Sequence, residues 1–103
     1  MVSKMNIFDY TVPEVEEDFK SLFKSENIDI VRIVSSEKLE DKLYIQDVDE
    51  FVIVLEGEAL LEVEDKEVIL KKGDTLFIPA KIPHRVLKTK KGTLWLAIYM
   101  KKS

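Results

Sequence analysis

The stretch Gly73-Asp74-Thr75-Leu76-Phe77-Ile78-Pro79-Ala80-Lys81-Ile82-Pro83-His84-Arg85-Val86 decides how this chain folds. A glycine turn opens it, an apolar run follows, and two prolines form a corner before the histidine. Proline has no N–H to give to a strand ladder, so pairing of the run Thr75 to Ile78 ends at Pro79. Alternation of side chains then puts His84 and Val86 on one face of the next strand and Arg85 on the other. His84 is predicted to point inward. With 1 His and no Cys in 103 residues, metal or nucleophilic chemistry has to pass near this imidazole.

Outward from that stretch, the chain reads as short strands separated by turns. Ile28 to Val34 alternates, with Ile28, Ile30, Arg32 and Val34 on one face. Lys42 to Gln46 is a further short strand. Phe51-Val52-Ile53-Val54-Leu55 is a continuous run of a buried strand, punctuated by Gly57. Ala59 to Glu64 and Glu67 to Lys71 flank a hairpin turn at Asp65-Lys66, where Lys66 stands in place of the usual glycine. Arg85 to Thr89 and Thr93 to Met100 close the series around Lys90-Lys91-Gly92. Such evenly spaced short strands predict an all-β sandwich or small barrel.

One segment carries a different period. In Pro13 to Ser25, Val15, Phe19, Leu22 and Phe23 fall on one helical stripe, and Thr11 with Glu14 matches a capping box. The expectation is a short N-terminal α-helix, with residues 1–27 as an extension and 28–103 as the barrel of a single-domain protein. The final strand is apolar on both faces, with Trp95 and Tyr99 on one and Leu94, Leu96, Ile98 and Met100 on the other. Both faces need cover. The helix or a second copy would supply it, so a homodimer is expected.

Composition narrows the partners. Lys and Arg number 16 against 20 Asp and Glu, giving a net charge of −4. No basic stripe is present for nucleic acid. No apolar run is long enough for a membrane span, and the start lacks a signal-peptide core. The absence of Cys excludes disulfides and thiolate metal sites and fits a reducing cytoplasm. The tail Lys101-Lys102-Ser103 is expected to fray.

Together these residues resemble the cupin family. One cupin motif is a His-x-His pair, then Glu, then Gly. Glu50 and Gly57 stand at its second half, and Tyr44 and Gln46 at the paired histidines. The other motif is matched by Gly73, Pro79 and His84, with Lys81 in place of a glycine and Lys88 in place of an asparagine. Pro79-Ala80, His84-Arg85-Val86 and Trp95-Leu96-Ala97 extend the likeness over nearly the whole chain, to small single-domain cupins. The resemblance implies a double-stranded β-helix, or jelly-roll barrel, in which Tyr44, Gln46, Glu50 and His84 line a polar site for a small molecule.

The resemblance also bears on metal. In metal-binding cupins these four positions hold one ion. Here Glu50 and His84 are good ligands and Gln46 offers a weak amide oxygen, so Gln46, Glu50 and His84 are the implied set for Mn, Fe, Ni or Zn. Tyr44 would have to ionise from a pKa near about 10 to join them. Three functions stay open. One is a module binding a small polar ligand. Another is a metal-dependent enzyme of oxygenase or isomerase type. The last is a structural homodimer without an active site. Arg85, on the outer face, is expected to pair with acidic residues or to cover the sheet.

Overall fold

The structure is a computed structural model that describes residues 4–101. Among the described residues, eight strands form two antiparallel sheets, an all-β architecture. The strands are β1 (Glu17–Lys24), β2 (Ile28–Ser35), β3 (Asp49–Glu56), β4 (Glu58–Val63), β5 (Lys66–Lys71), β6 (Thr75–Ile78), β7 (His84–Thr89) and β8 (Thr93–Met100). The larger sheet runs β1-β2-β8-β3-β6 and the smaller one β5-β4-β7. No helix is found among the described residues, so none is long and apolar enough to cross a membrane.

The expected N-terminal helix is therefore corrected. Glu17–Lys24 is a strand that pairs antiparallel with β2, from Glu17 opposite Ser35 to Lys24 opposite Asp29. A bulge between Ser21 and Phe23 shifts the register. The bulge puts Phe19 and Phe23 on opposite faces, so the apparent stripe is not a stripe. Pairing satisfies the backbone along the otherwise open edge of β2, and this tertiary gain outweighs a stripe of only a few residues. Glu16 enters the strand with φ of 60°, which also breaks a helical path.

Two smaller expectations also shift. Within Lys42 to Gln46 only Tyr44 makes a bridge, to His84. The β4–β5 turn sits one residue earlier than expected, at Glu64-Asp65, both with positive φ, while Val63 pairs with Lys66. That is the backbone of a mirror-image hairpin turn, which matches the strand twist and tolerates Asp. Lys102 and Ser103 of the tail lie outside the described residues.

The core lies between the sheets. Val31 and Ile33 of β2, Val52 and Val54 of β3, Ala59 and Leu61 of β4, Leu70 of β5 and Trp95 and Ala97 of β8 pack together there. Tyr99 joins them, so the Trp95 face of the last strand is the inner one. Ile30, Arg32, Phe51, Ile53 and Phe77 share the outer face, because their pairing partners Ile98 and Leu96 do. An irregular segment, rather than a helix, lies over one end of that face. Arg32 Nη1 donates to the Asp9 carbonyl at 2.9 Å, and its guanidinium stands 5.7 Å from the centre of the Tyr10 ring.

Candidate functional site

Backbone pairing assembles the site around the proline corner. The N–H of Tyr44 donates to the His84 carbonyl at 2.8 Å, and the N–H of His84 donates back at 3.0 Å. The N–H of Lys81 donates to the Gln46 carbonyl at 2.7 Å. Lys81, at the position where the cupin motif has glycine, keeps a left-handed φ of 70°. The N–H of Ala80 donates to Asp49 Oδ1 at 2.8 Å, which ties the corner to the start of β3. Residues distant in sequence are thus held by one short corner.

Tyr44, Gln46, Glu50 and His84 all line one cavity of about 50 Å³. Glu50 is on the inner face of β3 and His84 on the inner face of β7, so they come from opposite sheets. Each residue is 6% exposed. Glu50 Oε1 and His84 Nε2 are 3.8 Å apart, beyond direct hydrogen-bond reach. Nδ1 of His84 lies 3.1 Å from the Ile82 carbonyl. A carbonyl only accepts, so Nδ1 carries the proton, and in the neutral ring Nε2 presents its lone pair to the cavity. The Tyr44 and His84 rings stack, with centres 5.7 Å apart.

Burial dominates the electrostatics. Loss of water raises the Glu50 carboxyl to about 7; hydrogen bonds from Gln46 pull it down, the nearby Glu17 charge pushes it up, and Tyr99 pulls it down. Burial also raises the Tyr44 and Tyr99 phenols. Glu17 was not legible as a site residue, because the sequence placed it on a helix. It lines the same cavity. Its carboxylate accepts a hydrogen bond from Ser35 Oγ, which in turn accepts one from Trp95 Nε1 at 2.9 Å. Burial, as the largest effect, raises the Glu17 carboxyl too. Only an alternating reading of Glu17, Phe19 and Ser21 would have signalled it. Arg85 stays outside, paired with Asp41 at 2.8 Å and Glu62 at 3.1 Å.

The donor set falls short of a resident metal centre. Among the described residues no three His, Cys, Asp or Glu side chains are grouped so as to hold a metal ion. The third donor would be the Gln46 amide, and Tyr44 resists ionisation. Catalytic zinc sites use three strong protein ligands.

Residues 37–99 match the family model described as Cupin domain. The chain is 38% identical over 86 residues to the uncharacterized protein YdbB of Bacillus subtilis, covering 82% of this chain and 76% of that one. It is 38% identical over 53 residues to the uncharacterized protein MJ1618 of Methanocaldococcus jannaschii. That match covers 52% of this chain and 41% of MJ1618, less than half of the relative's length. A solved structure from Ralstonia eutropha, provisionally assigned as a mannose-6-phosphate isomerase, superposes with a TM-score of 0.88 at 30% identity, covering 98% of this chain and 100% of that chain. The fold, the proline corner and the family match agree, and the chain belongs to the cupin family.

Proposed function

We propose that this chain binds a small polar molecule inside the barrel, held by Tyr44, Gln46, Glu50 and His84. The reading rests on one observation: Glu50 and His84 meet from opposite sheets at a shared cavity, 3.8 Å apart. The two groups do not bond each other directly, and a ligand atom between them would bridge both. Work in the cytoplasm is part of the proposal, supported by the lack of Cys.

A second reading has one observation in its favour. The 3.8 Å separation lets Glu50 and His84 touch a single divalent ion, with Gln46 as third ligand. The protein would then be an enzyme of isomerase or oxygenase type, and the provisional isomerase assignment of the Ralstonia relative supports that direction. Such an ion would act as a Lewis acid. Elemental analysis of untagged protein separates the two. Stoichiometric Mn, Fe, Ni or Zn, lost in both Glu50→Gln and His84→Ala, establishes the enzyme reading and overturns ours. No metal, with thermal stabilisation by small amines, polyols or acids that both variants lose, supports ours. Neither metal nor stabilisation leaves a structural dimer.

The proposal includes a homodimer through the outer face of the larger sheet. One row crosses all five strands as Phe23, Ile30, Ile98, Phe51 and Phe77. Phe23 is 58% and Phe77 50% exposed. A contiguous apolar row with exposed aromatic ends marks an interaction surface. A second copy fits because the row is apolar from end to end and can meet itself across a two-fold axis.

A further inference from the structure

The cavity is unbalanced in charge, although Gln46 and Tyr99 give hydrogen bonds to Glu50. Two carboxylates line it, Glu17 from β1 and Glu50 from β3, and no Lys or Arg does. Lys42 reaches the Tyr44 ring, with Nζ 5.2 Å from its centre, but Lys42 is exposed and outside the lining. The third acceptor is His84 Nε2. Its side chain is 6% exposed, and the nitrogen faces Glu50 Oε1 at 3.8 Å, too far for a direct hydrogen bond. Glu17 is fixed in place by the chain from Trp95 through Ser35. Three acceptors from three strands therefore face a space of about 50 Å³.

A primary ammonium has three N–H donors and one positive charge, the complement of this set. The rings of Tyr44 and Trp95 in the wall favour a cation further. With both carboxyls ionised, an anion would add a third negative charge, and no Lys or Arg lines the wall to balance it. The space fits only about three to five heavy atoms, at about 10–15 Å³ for each water-sized group.

We propose that the cavity selects the ammonium head of a small organic amine, with Glu17 as a binding residue beside Glu50 and His84, and rejects phosphates and carboxylates. This rests on the reading that the barrel binds a small polar molecule.

Three probes of similar size and different charge test it: ethylammonium, ethanol and acetate. Each is titrated into the full chain at about pH 8, where free amines of this kind remain protonated. The Trp95 indole N–H resonance, one bond from the Ser35–Glu17 chain, reports binding. Ethylammonium is expected to shift it saturably with a Kd of about 1 mM or weaker, as its size dictates. Ethanol and acetate are expected to bind at least about tenfold more weakly. Glu17→Gln, which keeps the bond to Ser35, is expected to weaken ethylammonium at least about tenfold, and Asp18→Asn to leave it unchanged. Ethanol or acetate binding as tightly as ethylammonium overturns the choice of a cation while leaving a polar-ligand pocket. Equal losses in Glu17→Gln and Asp18→Asn reduce the effect to surface charge and overturn the site. No saturable shift with any probe overturns both the inference and the reading beneath it.

Discussion

Glu50 Oε1 and His84 Nε2 stand 3.8 Å apart across the barrel, one from each sheet, with both side chains nearly out of water. Burial raises the Glu50 carboxyl to about 7 from an ordinary 4.5. Between those values the folded chain keeps a proton that the unfolded chain releases. The contribution of Glu50 to stability is therefore greatest below the unfolded value, falls as pH rises through this window, and levels off above about 7. The size of the fall is about 3 kcal/mol. Glu50→Gln should lack it, being more stable than wild type at alkaline pH and gaining little near pH 4.5. Urea unfolding at several pH values checks this. Parallel pH profiles for the two proteins would contradict it.

Gly57 admits no side chain. Its φ is 88°, and a Cβ there would lie 2.7 Å from the Thr93 backbone Cα. Backbone cannot yield as a flexible side chain can, and the left-handed conformation adds strain. Gly57→Ala should cost more than about 2 kcal/mol, read as a lowered melting temperature. A change of a few tenths would mean that the β3–β4 junction is looser than described.

Lys81 holds a left-handed φ of 70° where the cupin motif has glycine. Its exposed ion pair with Asp47, at 3.3 Å, adds little. Lys81→Gly should raise stability by about 0.5–1 kcal/mol, the strain relieved less the extra freedom of the unfolded chain. A lowered melting temperature would show that the Lys81 side chain contributes more than its backbone strain removes.

The row from Phe23 to Phe77 predicts association. Sedimentation at micromolar concentration should give a dimer, and Phe23→Lys with Phe77→Lys should give a folded monomer. A monomeric wild type would leave the outer face without the proposed partner.

The barrel was legible because the strands from β2 to β8 carry their own punctuation. Gly57, Gly73 and Pro79 each stop or turn the chain where a strand ends. His84 and Val86 were readable as inward because alternation along one strand is local. The cavity itself then followed from the family resemblance at Glu50. The first strand was not legible. Val15, Phe19, Leu22 and Phe23 mimic a helical stripe, and only the bulge at Ser21 and Phe23, set by pairing with a strand further on, reveals otherwise. Glu17 was lost with it, since its inward direction exists only once β1 lies opposite Ser35. The assignment of Phe51, Ile53 and Phe77 to the outer face likewise needed the register with β8 and β6.

The central claim is a buried carboxyl and an imidazole sharing one pocket. The most direct measurement is a pH titration of the Glu50 side-chain carboxyl carbon by NMR, in wild type and in His84→Ala. A midpoint of about 7 in wild type is the predicted result, lowered in His84→Ala because removing the imidazole admits water to the carboxyl. A midpoint at the ordinary 4.5, unmoved by the substitution, would contradict it.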